Sequence, residues 1–247
     1  MVDIDALPEQ LLLKILSYVP PRELVYICRL VCQQWKELVD GLNLQPHSDG
    51  LPKGSQAVTA EDWDAFYFCT SAKKNLIKNA CGEEEFNFWE LIDNDGNGWK
   101  VEDLPGDSGK PFPSQNIQKY FVTSFEWCRK TQLVNLVSEG LDAEKLDSLQ
   151  PAITVKDWYA GRHDSGFFYE LHVELLSEDM SVIQEYKSDQ IEVPQWSDAE
   201  WKEISNTFTD YGPGVRYVKF THGGKDLQFW GGWYGARVTN STVIVEQ

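Results

Sequence analysis

Seven consecutive positions, Phe229-Trp230-Gly231-Gly232-Trp233-Tyr234-Gly235, hold four aromatic rings and three glycines. Glycine lets a chain turn tightly and removes side-chain bulk, so a neighbouring ring can stand clear of the backbone and offer its flat face. Such a face accepts a sugar ring, a nucleobase or a methylated amine, since each stacks on a π surface. The competing reading is a strand whose aromatics fill a core, where most Trp and Phe residues reside. A second candidate is Asp164, between His163 and Ser165 and just after Gly161-Arg162. A carboxylate there can accept hydrogen bonds from sugar hydroxyls, or it can cap the backbone N–H groups of a turn. The chain has four histidines, none spaced i,i+4 from another, so zinc coordination at His163 is not expected.

Other patterns that could carry chemistry read as structure. Asp93-Asn94-Asp95-Gly96-Asn97-Gly98 opens like an EF-hand loop, but position twelve is Leu104, where calcium needs a bidentate Glu. A polar hairpin turn is expected instead. Gly106-Asp107-Ser108-Gly109 superficially matches the nucleophile segment of a chymotrypsin-like protease, yet the one upstream histidine is His47, in a low-complexity stretch. That segment is expected to be a surface loop. Asn240-Ser241-Thr242 is a formal glycosylation sequon, inert in a protein that stays in the cytosol. No phosphate-binding glycine loop is present, and no pair of carboxylates is singled out for glycoside hydrolysis.

The elements that must position these residues fall into two regions. Leu7, Leu11, Leu12, Ile15, Leu16 and Val19 recur at three- and four-residue spacing, one face of a helix that Pro20-Pro21 ends. A second helical face runs through Leu24, Ile27, Cys28, Val31, Trp35, Leu38 and Val39 and stops at Gly41. So short a helical pair buries little surface and suits docking onto a partner's helices. Residues 43–60 shift to Pro, Gly, Ser, Asp and Gln and read as a linker, followed by a short helix over 63–76. Thereafter strands and turns dominate. Tyr169, Leu171, Val173 and Leu175 alternate with Glu170, His172 and Glu174, as in a strand with one wet face. Further strands are expected over 201–208, 215–220 and 239–246, with turns at Asp93–Gly98, Pro105-Gly106, Tyr211-Gly212-Pro213-Gly214 and Gly223-Gly224. A helical insertion is expected over 133–146. Many short strands with regular turns predict an all-β sandwich.

Charge and cysteine usage narrow the partners. The 247 residues carry 22 Lys plus Arg against 39 Asp plus Glu, a formal charge of −17. That field repels nucleic acid and anionic membrane surfaces, so base stacking on the aromatic stretch is not expected. No apolar run is long enough to span a bilayer, and the acidic Met1-Val2-Asp3-Ile4-Asp5 lacks a signal peptide's basic region. The five cysteines, Cys28, Cys32, Cys69, Cys81 and Cys128, are odd in number and scattered, as expected of reduced thiols in the cytosol.

Two sets of residues resemble a known family. Leu7-Pro8-Glu9-Gln10-Leu11-Leu12-Leu13-Lys14-Ile15-Leu16, with Pro20 and Cys28-Arg29-Leu30-Val31-Cys32-Gln33-Gln34-Trp35, resembles an F-box. The remainder resembles the F-box-associated domain of glycoprotein-recognising F-box proteins. The matching segments include Cys81-Gly82-Glu83-Glu84, Lys119-Tyr120-Phe121-Val122-Thr123-Ser124-Phe125-Glu126-Trp127-Cys128, Val155-Lys156-Asp157-Trp158 and Phe208-Thr209-Asp210-Tyr211-Gly212-Pro213-Gly214-Val215-Arg216. They continue through His222-Gly223-Gly224 and Trp233-Tyr234-Gly235-Ala236-Arg237-Val238-Thr239-Asn240-Ser241. The resemblance implies an α+β multidomain chain: an all-α F-box over 1–42, a linker with a short helix over 43–74, and an antiparallel β-sandwich over 75–247. The sandwich would be of jelly-roll, galactose-binding-like type.

The same resemblance implies a function. The F-box would dock to the Skp adaptor of an SCF-type ubiquitin ligase with its cullin and RING subunits, through Leu7, Pro8, Leu11, Leu12, Ile15, Leu16, Leu30, Val31 and Trp35. The sandwich would grip the chitobiose core of high-mannose N-glycans on misfolded glycoproteins, feeding ER-associated degradation from the cytoplasm and the cytosolic face of the endoplasmic reticulum. Phe125 would support the sugar site, Asp164 would bond the sugar's polar groups, and Trp230, beside Phe229, would stack on it. No active site, cofactor or metal is implied. The alternative is a receptor of the same fold that recognises protein surfaces without glycan. Three departures stand out. Phe229 and Gly231 replace a Tyr and a Lys found in the family, which removes two polar contacts worth roughly 1–3 kcal/mol together. Leu141-Asp142-Ala143 replaces an aromatic pair, and residues 42–51 lack the family's Trp-containing helix.

Overall fold

The computed structural model describes Leu12, Leu16, Cys28, Val31, Cys32, Trp35, Lys36 and Leu38, and then residues 74–246. The chain divides into two compact units, Met1–Thr70 and Ser71–Gln247. In the first, Leu12 and Leu16 are helical and fully buried, and Trp35, Lys36 and Leu38 are helical too. The second expected helix is not continuous: Cys28 lies in a 3-10 turn, its carbonyl accepts the Val31 N–H at 3.2 Å, and Cys32 is not helical. The remaining residues of the two expected helices and the expected linker over 43–60 lie outside the described residues. So do residues 63–73 of the helix expected over 63–76. Its described end is not helical: the Leu76 N–H donates to the Val243 carbonyl at 2.8 Å.

The second unit is an antiparallel sandwich. Its strands are β1 (Glu90–Asn94), β2 (Lys100–Asp103), β3 (Lys119–Val122), β4 (Cys128–Asn135), β5 (Ala152–Ala160), β6 (Phe167–Leu176), β7 (Val182–Lys187), β8 (Ile191–Val193), β9 (Lys202–Phe208), β10 (Tyr217–Asp226) and β11 (Arg237–Glu246). One sheet runs β1-β4-β10-β6-β7 with β8 paired to β6, and the other runs β2-β3-β11-β5-β9. The chain changes sheet at β1–β2, β3–β4, β4–β5, β5–β6, β8–β9, β9–β10 and β10–β11, which is the jelly-roll habit. Every one of these crossings except β4–β5 and β9–β10 occurs at the same end, so that end collects the loops.

Alternation builds the core. On β6, Phe167, Tyr169, Leu171, Val173 and Leu175 are buried, while Phe168, Glu170, His172 and Glu174 are half-exposed. β5 sends Ile153, Val155, Asp157 and Tyr159 inward from the facing sheet. Each fully buried Leu, Val or Phe contributes about 1.5–3 kcal/mol of transfer free energy. A second, smaller core forms on the outer face of the β2-β3-β11-β5-β9 sheet. There Tyr120, Val122, Ala160, Phe112 and Trp201 cluster, with Trp158 and Trp233 packed against them. The long β2–β3 loop lies over that face, and its Lys110 carbonyl accepts a hydrogen bond from Trp201 Nε1 at 3.0 Å.

Several expected elements are displaced for identifiable reasons. The helix expected over 133–146 is a strand up to Asn135, and the helix that follows, α1 (Ala143–Leu149), starts where Asp142 caps the Lys145 N–H. Gly223 and Gly224 do not turn the chain; both lie inside β10. A Cβ at Gly223 would meet the Cys128 carbonyl oxygen and one at Gly224 the Phe168 carbonyl oxygen, each at 2.2 Å. Flanking strands approach so closely there that no side chain fits. The sequon is folded inward: a register break between Thr239 and Thr242 buries Ser241, whose hydroxyl donates to Asp157 Oδ1 at 2.8 Å.

Candidate functional site

At the loop-rich end, Phe229 and Trp230 are held out of the fold. Phe229 is 65% exposed and Trp230 42%. Their pose is enforced by Asp226, the last residue of β10. Its carboxylate accepts the backbone N–H of Phe229 at 2.5 Å and of Trp230 at 3.1 Å. Burial pushes the Asp226 carboxyl up from its ordinary value, and those amide donors work against that rise. Phe229 sits at φ +57, a left-handed conformation that a bulky residue adopts only when its surroundings insist. Phe125, from the β3–β4 loop, meets the Phe229 ring edge-on at 5.0 Å between centroids.

The rest of the aromatic stretch has other duties. Trp233 belongs to the outer core; its indole N–H donates to the Gly98 carbonyl at 3.2 Å, and the Lys100 ammonium lies 4.5 Å from its ring. Gly232 N–H donates to Asn97 Oδ1 at 2.7 Å, which ties the loop to the β1–β2 turn. Within that turn the Asn94 side chain accepts the Trp99 N–H at 2.7 Å; the turn is polar but carries the chain from one sheet to the other, so it is not the hairpin expected from the sequence. Tyr234 stands edge-on to Trp230, with ring centroids 5.6 Å apart.

Asp164 lies in the β5–β6 loop and does not serve mainly as a backbone cap. Arg162 donates to it in a fork, Nε to Oδ1 at 2.8 Å and a terminal nitrogen to Oδ2 at 2.9 Å, and Ser108 Oγ adds a 3.2 Å bond. The Arg162 guanidinium holds the Asp164 carboxyl below the usual carboxylate range. The same guanidinium lies 4.8 Å from the Tyr234 ring. Trp230, Tyr234, Arg162 and Asp164 therefore form one contiguous row. The two loops are also laced together: Gln228 Oε1 accepts from Ser165 Oγ and the Gly166 N–H, and Leu227 N–H donates to the Gly166 carbonyl. Such a row offers a stacking face, a guanidinium and a carboxylate with free acceptor capacity, the complement of a sugar's C–H face and hydroxyl rim.

Sequence reasoning had not found Arg162, Ser108, Asp226 or Gln228 as parts of this end. Arg162 carries a legible signal, since an Arg two residues before an Asp on a turn can fork onto it. Ser108 belongs to the segment expected to be a surface loop. For the expected adaptor contacts, Val31 is exposed, whereas Leu12, Leu16 and Trp35 are buried; Leu7, Pro8, Leu11, Ile15 and Leu30 lie outside the described residues. Among the described residues no group of three or more His, Cys, Asp or Glu is placed to hold a metal ion, and no helix is long and apolar enough to cross a membrane.

Comparison with known proteins gives the chain its relatives. Among solved structures it is similar to TmCBM61 in complex with β-1,4-galactotriose, at 17% identity and TM-score 0.43, covering 70% of this chain and 100% of that one. It is also similar to the CBM22-1 xylan-binding domain of Paenibacillus barcinonensis Xyn10C, at 10% identity and TM-score 0.41, covering 71% and 97%. Likenesses this distant carry nothing about ligand. The closer matches are of sequence. Bos taurus F-box only protein 2 is 51% identical over 98% of this chain and 84% of its own length. Homo sapiens F-box only protein 6 is 46% identical over 98% and 84%, and Homo sapiens F-box only protein 44 is 45% identical over 98% and 96%. An F-box-like family model matches residues 4–44, and the model of the F-box associated region matches residues 67–245. The chain therefore belongs to the F-box proteins that carry an F-box associated region.

Proposed function

We propose that this protein is the substrate-recognition subunit of an SCF-type ubiquitin ligase that binds the chitobiose core of high-mannose N-glycans on misfolded glycoproteins. The observation that carries the reading is the exposed Phe229–Trp230 pair, pinned by Asp226 and continuous through Tyr234 and Arg162 with Asp164. In this role Trp230 stacks on a pyranose, Phe125 braces Phe229, and Asp164 accepts the sugar's polar hydrogens while Arg162 fixes its orientation. The F-box docks to the Skp adaptor and through it to the cullin and RING subunits. Val31 supplies exposed apolar surface, with Leu12, Leu16 and Trp35 buried behind the docking face. The protein itself catalyses nothing; it raises the effective concentration of substrate beside the charged ubiquitin-carrying enzyme. It works in the cytosol, at the face of the endoplasmic reticulum where misfolded glycoproteins emerge.

Trp230→Ala is expected to abolish retention on immobilised chitobiose and on a denatured high-mannose glycoprotein, with the melting temperature unchanged because the ring is exposed. Full retention of the variant on both resins overturns the reading. One observation favours a second reading, recognition of protein surfaces without glycan: Gly231 leaves the loop without a cation beside Trp230. A glycan array run with deglycosylated protein controls separates the two.

A further inference from the structure

The segment Gln195-Trp196-Ser197-Asp198-Ala199-Glu200, between β8 and β9, presents a second exposed aromatic. Trp196 is 67% exposed, slightly more than Phe229, and is held at φ +69. A tryptophan kept both solvent-facing and in a left-handed conformation costs free energy twice, so the fold must impose it. The imposition is visible. Trp196 N–H donates to the His163 carbonyl at 2.8 Å, and His163 N–H donates to the Ser108 carbonyl at 2.8 Å. The His163 ring meets the indole edge-on at 5.6 Å, while its Nδ1 is 2.5 Å from the Ser197 carbonyl oxygen. Three loops are thus stitched into a preformed base.

Against this indole opens a cleft of about 650 Å³, lined by Ser108, Lys110, His163, Trp196, Asp198 and Glu200 among others. That volume is within the range of about 300–1,000 Å³ common to ligand clefts. Its chemistry is one flat apolar face ringed by a hydroxyl, an amine, an imidazole and two carboxylates. Ala199 is the one aliphatic residue in the lining, so the cleft has no pocket for an apolar peptide side chain. A ring with a C–H face and a hydroxyl rim matches it. The cleft also adjoins the first site: Ser108 lines it and donates its hydroxyl to Asp164, and His163 is the neighbour of Asp164 in the chain.

We infer that the Trp196 cleft is a second saccharide subsite, so that the ligand is an oligosaccharide running from the Trp230 platform past Asp164 to Trp196. This rests on the glycan-binding reading above and adds the length of ligand recognised. Calorimetric titration of the full chain, wild type and Trp196→Ala, with chitobiose and with a released high-mannose oligosaccharide tests it. The variant is expected to bind chitobiose as the wild type does and to bind the oligosaccharide about tenfold more weakly, the loss of one stacked ring. Trp196→Phe is expected to retain most of that affinity. Equal oligosaccharide affinity in wild type and Trp196→Ala overturns the inference and leaves the first site standing. A parallel fall for both ligands also overturns it, since it would mean damage to the first site. A fall for denatured glycoprotein with none for the released glycan would assign the cleft to polypeptide and overturn it too. Wild type binding neither sugar would overturn the glycan-binding reading together with this one.

Discussion

Asp157 lies within β5 and Asp164 in the loop that follows it, and the two carboxylates have opposite fates. Asp157 is fully buried between the sheets, where Tyr169 Oη at 2.6 Å, His222 Nδ1 at 2.5 Å and Ser241 Oγ at 2.8 Å surround it. Nearby, Lys130 is also fully buried, its Nζ 3.1 Å from the Trp89 ring centroid and 3.7 Å from that of Phe121. Asp164 is forked by Arg162 and touched by Ser108, but its side chain is 35% exposed. Both regions pair charged groups with aromatic rings. Inside, the partners consume the acid's acceptors and the rings close around the amine, so the chemistry ends in structure. At the rim, the partners orient the acid without saturating it, and the rings next to it stay open. What separates the stabilising polar cluster from the proposed recognition site is leftover hydrogen-bonding capacity facing solvent.

Replacing each acid by alanine breaks that comparison most directly. Asp157→Ala strands buried donors and the His222 ring, and is expected to lower unfolding free energy by about 3–5 kcal/mol. Asp164→Ala removes a partly exposed ion pair and is expected to cost about 0.2–1 kcal/mol of stability while weakening glycan binding. Urea denaturation of both variants, with binding measured on the folded fraction, reads the two effects separately. A large stability loss at Asp164, or a small one at Asp157, would mean that the distinction between the regions is wrong.

Lys130 sharpens the interior half of the comparison. Burial holds its amine well below the ordinary lysine value of 10.5. Between that lowered value and 10.5 the unfolded chain binds a proton that the folded chain does not, so stability rises with pH through this window. At neutral pH the cost of burying this group is still present. Lys130→Met keeps an unbranched side chain, one atom shorter, and removes the charge, and is expected to stabilise the sandwich at neutral pH by about 1–4 kcal/mol. It is also expected to flatten the rise of stability toward pH 10.5. Denaturation midpoints of wild type and variant across that range give the difference curve. A variant less stable than wild type at neutral pH would assign the amine a favourable charged role against Trp89.

These interior groups explain where the sequence was legible and where it was not. β6 follows its expected position because its apolar residues alternate cleanly, and β9 and β11 also fall where strands are expected. β4 and β5 were missed because β4 turns Lys130 and Gln132 inward while Leu133 is 47% exposed, and β5 buries Asp157. A polar residue pointing into a core inverts the alternation that marks a strand. The Gly223-Gly224 pair carried a turn signal, yet its glycines answer a need for close strand approach, which only the neighbours reveal. At the rim, the exposed aromatics were visible in composition. The residues that fix them, Asp226, Arg162, Ser108 and Gln228, act through contacts between loops far apart in the chain and leave little local trace.

Gly231 tests the rim half with the smallest expected effect. It follows the Trp230 platform, is exposed, and a Cβ built on it would meet no atom within 4 Å. A larger side chain can therefore be added without disturbing the loop that Asp226 and Asn97 hold. If unspent capacity at this end is what recognises a glycan, one more donor beside Trp230 adds to it. Gly231→Lys is expected to tighten chitobiose binding by about 0.5–1.5 kcal/mol, roughly two- to tenfold. The gain should shrink as salt is raised if it comes from the charge, and persist if it comes from a short hydrogen bond. Titration of the purified variant at low and high salt measures both. An affinity identical to wild type at either salt would place the ligand's polar edge away from Gly231, over Asp164 and Ser108 instead, and would leave the row from Trp230 to Asp164 as the whole of the first subsite.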